Sequence, residues 1–340
     1  MRKSTLEKGS EADKKSIEKI LKILKQRASK PVQTAKKAIL KENVQSKEAR
    51  EALRYYTENF LESTAPAFVS LACEAVGGNP EKTTLIGAVT VLYVGAVDIH
   101  DDIIDQSKRK NGRSTVFGRF GKDIALLTGN ALLLEGFALF NKATQTLESS
   151  NEKCIVDTMK TAFFEMGDAH ALEVSLKGKL IVTPEEYLQM VKKKVAPWEA
   201  FTKIGAILGN GTKSEIDALA TYGRTWGMLS TIRNDFVDLF DIDELQNRMV
   251  NEILPLPILY AFESPRIKKK ITAMLSEDRI THEDAEMILN LVLRSKQVGN
   301  LRTFMRELIG EATSHLNVLK KSEAKSVLEL FISLMLEDLG

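Results

Sequence analysis

The stretch VTVLYVGAVDIHDDIID, residues 89–105, governs how the rest of the chain is read. Its first half, Val89 to Val97, is apolar, and its second half places Asp98, Asp101, Asp102 and Asp105 at i, i+3, i+4 and i+7. That spacing puts all of these carboxylates on one face of a helix. The apolar approach argues for a buried helix. Like charges at the end of a buried segment persist only when cations hold them, because a buried charge must be paired or coordinate a metal. An all-carboxylate set suits a hard divalent cation such as Mg²⁺, which keeps some waters and shares its other positions with substrate phosphates.

The chain has 340 residues, 44% hydrophobic, 28% charged and 6% aromatic, with only 8 prolines, which predicts a large, mostly helical core. Its 48 basic and 46 acidic residues leave a net charge of +2, so there is no global nucleic-acid footprint and no nucleic-acid partner is expected. Cys73 and Cys154 form neither a disulfide framework nor a metal spacing, and a cytoplasmic setting is the expectation. The opening MRKSTLEKGSEADKK has no apolar signal-peptide core, and no uninterrupted apolar run reaches the ~18 residues of a membrane span.

Residues 1–30 read as a basic amphipathic helix with an apolar stripe of Ile17, Ile20, Leu21, Ile23 and Leu24, ending before Pro31. The simpler reading packs this stripe on the body; the alternative is a weak membrane-surface contact. Residues 31–340 read as one all-α domain. Its helical patterns are broken briefly at Gly77 to Pro80, Lys110 to Arg113, Ser149 to Asn151, Thr183-Pro184, Gly209 to Gly211 and Ser264-Pro265. Thr183 and Thr281, each followed by early acidic residues, mark helix starts.

A second acidic run, RNDFVDLFDIDEL, begins at Arg233, with Asn234, Asp238 and Asp241 on one predicted helical face and Asp235 beside them. Alone it reads as a solvated turn. With the first cluster, and with Lys192, Lys193 and Lys194 between the two in sequence, it can converge on a metal-bound phosphate group in a helical bundle.

At this point the chain resembles the trans-isoprenyl diphosphate synthases, which have the class I isoprenoid (terpenoid) synthase fold. The likeness runs from about Glu51 to Ala261 through LACEAVGGNPEK, HDDIID at 100–105, STVFGRFGKDIALLTGNALL, TPEEYLQMVKKKVA, IGAILG, GMLSTIRNDFVD and LPLPILYA. The resemblance implies a helical bundle around a central cavity, a homodimer, and Mg²⁺ holding an allylic prenyl diphosphate. Ionisation of that substrate releases pyrophosphate, with metal and lysines stabilising the leaving charge and an apolar cavity sheltering the cation. It assigns Asp101, Asp102 and Asp105 to the first metal motif. It assigns Asn234, Asp235 and Asp238 to the second, with Asn in place of the first aspartate. Lys194 and Lys110 match diphosphate-binding positions, and Arg248 is the nearest basic substitute for a lysine on the shortened loop after the second motif.

The departures fall on the acceptor side. The family binds isopentenyl diphosphate through Gly-Lys-x-x-Arg-Pro, an upstream histidine or glutamine, and the second arginine of Arg-Arg-Gly. Leu61 and Glu62 stand in place of Gly-Lys, Ala65 in place of the arginine, Val94 in place of the histidine, and Asn111 in place of the second arginine. A usual acceptor diphosphate would meet a repelling carboxylate at Glu62. The expected function is therefore ionisation of an allylic prenyl diphosphate, with transfer to an acceptor not held by those contacts. Cyclisation or proton loss, as in class I terpene synthases, is one alternative, and a non-catalytic subunit of a heteromeric synthase is another.

Asp98, aliphatic in the family, reads either as a catalytic proton acceptor or as a partner for a basic side chain, while His100 reads as packing. The pocket wall is expected from Val94, Ala96, Val97 and Thr231, with Tyr93 a turn deeper as its floor. The small Ala96 and Val97 imply, by the resemblance, a tail of about 15 to 25 carbons. Trp198, Trp226, Phe236 and Phe240 are read chiefly as core.

Overall fold

The structure, a computed structural model, describes residues 11–110, 112–179, 182–275 and 280–336. The helices are α1 (Glu11–Lys41), α2 (Lys47–Asn59), α3 (Thr64–Ala75), α4 (Thr84–Ile104), α5 (Val116–Thr144), α6 (Ser149–Leu176), α7 (Pro184–Lys194) and α8 (Ala196–Leu208). They continue with α9 (Lys213–Asp238), α10 (Ile242–Asn251), α11 (Leu256–Ala261), α12 (Pro265–Leu275), α13 (His282–Leu293), α14 (Lys296–His315) and α15 (Glu323–Ser333). Among the described residues the only strands are the two-residue hairpin of β1 (Arg109–Lys110) and β2 (Arg113–Ser114). Asn111 at its turn lies outside the described residues.

The apolar half of the 89–105 stretch makes α4 the central helix, packed on α1, α3 and α5. The expected caps are present: Thr183 and Thr281 each form a capping box, with Glu186 and Asp284 respectively. The quoted IGAILG segment has a steric reason. A Cβ on Gly205 would lie 2.3 Å from the Val69 carbonyl oxygen, and one on Gly78 would lie 2.3 Å from the Gly209 Cα. These glycines let α8 cross α3 backbone to backbone.

Helix α1 does not end before Pro31; it continues to Lys41 with Pro31 inside it. The pyrrolidine ring sits against Gly87 of α4, where a Cβ would meet it at 2.9 Å, and beyond it Ala35 and Ile39 return to the core. Tertiary packing thus carries the helix through the proline. Ile17, Ile20 and Leu24 are buried in the same core as Phe68, Tyr222 and Phe331, so the apolar stripe that a membrane contact would need already faces the protein. Trp198 and Trp226 stack edge to face with ring centroids 4.7 Å apart, as packing residues, and Phe236 is core, but Phe240 is exposed.

Two segments, Pro80–Ile104 and Val116–Thr144, are long and apolar enough to cross a bilayer by length and composition. In the first, 67% of the apolar window is buried inside the protein, in the second only 39%. The difference is a surface patch of Leu127, Leu134 and Phe137 on α5 with Phe164 on α6, all more than half exposed.

Candidate active site

The acidic face of α4 lies at its C-terminal end, where the helix macrodipole opposes negative charge. Cations from three other elements offset it. The hairpin delivers Lys110, which is ion-paired with Asp98 and lies 3.7 Å from Asp102 Oδ1. The last turn of α7 delivers Lys194, 2.6 Å from Glu173 of α6 and 3.9 Å from Asp101 Oδ1. Lys177, just past α6, lies 3.2 Å from Asp105 Oδ1 and donates to the Ile104 carbonyl.

Burial raises the Asp102 carboxyl to about 8, with Lys110 opposing and Asp98, Asp101 and Asp105 adding to the rise. Burial likewise raises Asp105 to about 6, with Asp101 adding. At Asp101 burial is outweighed by Lys194 and His170, which hold its carboxyl below the usual range.

The structure thus gathers Asp98, Asp101, Asp102, Asp105, Lys110 and Lys194 in one place. It also brings in His170 and Glu173, which sequence reasoning passed over. His170 Nδ1 approaches Asp101 Oδ1 to 3.2 Å, and Glu173 is 8% exposed. Their i, i+3 spacing on α6 was the available signal. The donor set of Asp101, His170 and Glu173 offers one ligand atom each, all within 4.8 Å of one another. These residues fit a divalent cation.

The second cluster differs from its expected form. Asp235 is fully buried and already served: its Oδ2 accepts from the Tyr187 hydroxyl at 2.7 Å and the Leu256 N–H at 3.1 Å. Arg248 of α10 lies 2.8 Å from Asp235 Oδ1 and 2.8 Å from Asp238 Oδ2, with Glu252 at 3.5 Å. Asp235 is thus held by the Tyr187 hydroxyl, the Leu256 N–H and Arg248, and Arg248 faces the acidic cluster. Asn234 is exposed while Asp235 and Asp238 are not. Asp241 leaves the predicted face, because α9 ends at Asp238 and Asp241 caps α10. Asn247 of α10 donates to the Asp105 carbonyl at 3.0 Å and to Glu252 at 2.8 Å, tying the two clusters together.

Two pocket residues also move. Val94, Val97, Asp98 and Asp101 form the partly exposed stripe of α4, and Thr231 is partly exposed on α9. Tyr93 packs outward onto α5 and α6, with its ring 5.0 Å from Phe163 and space made for it by Gly136. Ala96 is core, on the side of α1, α2 and α5. Neither lines the stripe. His100 packs against Gly129 of α5. A separate cleft of about 580 Å³ between α6, α7, α8, α9 and α14, containing Arg224, Glu165 and Glu199, shares none of the aspartates.

On the acceptor side, Glu62 accepts hydrogen bonds from the Thr64 N–H at 2.6 Å and the Ala65 N–H at 2.8 Å, satisfying the start of α3. Beneath it Tyr56 is buried against Gly95. Burial, then Asp98, Glu62 and Asp102, push the Tyr56 phenol well above its ordinary value, so these three carboxylates converge on one region.

An all-helical bundle with facing aspartate clusters is the architecture of isoprenoid synthases. The polyprenyl synthetase family profile matches residues 46–292, and the chain belongs to this family of prenyltransferases. It is 27% identical over 283 residues to the short chain isoprenyl diphosphate synthase of Methanothermobacter thermautotrophicus, covering 80% of this chain and 85% of that one. It is 27% identical over 292 residues to the geranylgeranyl diphosphate synthase of Methanosarcina mazei, covering 83% and 87%. The fold superposes on the geranylgeranyl pyrophosphate synthetase of Pyrococcus horikoshii with a TM-score of 0.85 at 23% identity, covering 94% of this chain and 99% of that one.

Proposed function

We propose that this enzyme ionises an allylic prenyl diphosphate of about 15 to 25 carbons and transfers the prenyl group to an acceptor other than isopentenyl diphosphate held by the usual contacts. The carrying observation is Glu62, whose carboxylate accepts from the Thr64 and Ala65 N–H groups. A helix start is a ready anion site, and here an acidic side chain of the same chain takes it. Asp98 is ion-paired with Lys110 and burial raises Asp102 to about 8, so Glu62 is the carboxylate that opposes a diphosphate here, which favours a neutral acceptor.

On this reading the allylic C–O bond breaks heterolytically and its electron pair leaves with pyrophosphate. Lys110 and Lys194 exchange their carboxylate partners for the leaving group's oxygens, and the acceptor's nucleophile closes the new bond and sheds a proton. Asp98, once Lys110 turns to the phosphate, is the nearby base for that proton. A divalent cation such as Mg²⁺, held by Asp101 in this cluster, would supply Lewis acidity toward the diphosphate. Two copies pair through the apolar patch of α5 and α6.

The test is Mg²⁺-dependent pyrophosphate release from C10, C15, C20 and C25 prenyl diphosphates, each with and without isopentenyl diphosphate, with product analysis. Little release is expected from a prenyl diphosphate alone or with isopentenyl diphosphate, and release coupled to formation of a prenylated product is expected once a neutral nucleophilic acceptor, an alcohol or a phenol, is added. Efficient, isopentenyl-dependent chain elongation overturns the acceptor argument, and hydrocarbon or alcohol formed from a single substrate redirects it to a cyclase or lyase.

A further inference from the structure

The first cluster differs from an all-oxygen site in one atom. His170 Nδ1 lies 3.2 Å from Asp101 Oδ1, an oxygen shielded from solvent. The two atoms face each other, and the Glu173 carboxylate completes a group spanning at most 4.8 Å. With metal–ligand bonds of about 2.1 Å, neighbouring ligands of one ion stand roughly 3 Å apart, so only a small contraction separates this group from one coordination sphere. Lys194, 2.6 Å from Glu173 and 3.9 Å from Asp101, supplies a positive charge at the same spot. A dication held there would displace the ammonium and leave it free for an anionic substrate.

We propose that Asp101, His170 and Glu173 form a mixed nitrogen–oxygen metal site that takes Mn²⁺ or a later first-row dication in preference to Mg²⁺. This deepens the prenyl-transfer reading by naming the ion class of that same site, and it rests on that reading for its catalytic meaning. The physical reason is ligand type. Imidazole favours transition ions and leaves Mg²⁺, which prefers oxygen and water, with one poor partner.

The test uses purified full-length protein with metal alone and no substrate. Mn²⁺ binding is followed by electron paramagnetic resonance, Mg²⁺ is titrated as competitor, and the bound Mn²⁺ is examined for coupling to an imidazole ¹⁴N nucleus. The wild type should show the nitrogen coupling. His170→Gln, which keeps an oxygen donor, should lose it and weaken Mn²⁺ by about tenfold or more, on the scale of outer-shell losses, with a much smaller change for Mg²⁺. Absence of nitrogen coupling in the wild type, or an unchanged Mn²⁺-to-Mg²⁺ affinity ratio in a folded His170→Gln variant, overturns the site. Because no turnover is involved, a protein that binds Mn²⁺ through nitrogen but releases no pyrophosphate contradicts only the prenyl-transfer reading. Pyrophosphate release without nitrogen ligation contradicts only the metal site.

Discussion

The guanidinium of Arg248 lies 2.8 Å from the fully buried carboxylate of Asp235. A second nitrogen of the same fork lies 2.8 Å from Asp238, so one cation is shared by two carboxylates at the end of α9. Arg248→Ala leaves those charges buried and uncompensated, which should cost about 3–5 kcal/mol. Urea denaturation monitored by circular dichroism checks it. Arg248→Lys should recover only part of the loss, because a point charge cannot serve both carboxylates as the fork does.

Asp101 stands within reach of both His170 and Lys194. Asp101→Asn should lower pyrophosphate release by at least about 100-fold, the scale of losing one group that stabilises developing charge. The protein should stay folded, since Asp101 is partly exposed. Single-turnover kinetics with a C20 diphosphate measure it.

The metal-free protein should become less stable as pH rises. The unfolded Asp102 carboxyl titrates near 3.8, whereas the folded one titrates near 8, and Asp105 titrates near 6. Between those values the folded state holds protons that the unfolded chain has released, so stability falls from about pH 4 to pH 8. Melting temperature in chelator should drop across that window. Added Mg²⁺ should restore more at pH 8 than at pH 5.5, because binding there displaces fewer protons.

Gly205 of α8 allows the close approach to Val69. Gly205→Ala forces two helix backbones apart and should destabilise by about 1–3 kcal/mol. Gly167 on α6, where a Cβ would meet nothing within 4 Å, is the matched control, and Gly167→Ala should be neutral or slightly stabilising. Thermal unfolding of the two variants makes the comparison.

Glu62 satisfies two N–H groups at the start of α3. Glu62→Ala should cost about 1–2 kcal/mol of stability, as loss of a helix-start acceptor does. It should also raise the affinity of inorganic pyrophosphate at that end of the site, read by calorimetry.

What the sequence made legible was whatever rests on period and charge. The apolar-then-acidic pattern of residues 89–105 placed α4, its burial and its carboxylates, and the threonine caps marked α7 and α13. Rotation about a helix was harder. The set Val94, Val97, Asp98 and Asp101 shares the partly exposed face, and Tyr93 and Ala96, each one residue off that stripe, point into packing. Pro31 misled because its tolerance depends on Gly87, more than fifty positions away. The pairing of Arg248 with Asp235 and Asp238, and of His170 with Asp101, depends on which helix ends meet, and no local pattern states that.

The Glu62 carboxylate is tethered to the two N–H groups it serves, so its effective concentration there is set by a few bonds of chain and not by the surroundings. A dissolved anion faces that competitor at every protein concentration and cannot dilute it away. Supplying more of an anionic acceptor is therefore a weak lever on this enzyme, whereas a single codon change at position 62 is a strong one. On the proposed reading, the chain itself, through Glu62, and not the supply of an anionic acceptor, decides what binds at the start of α3.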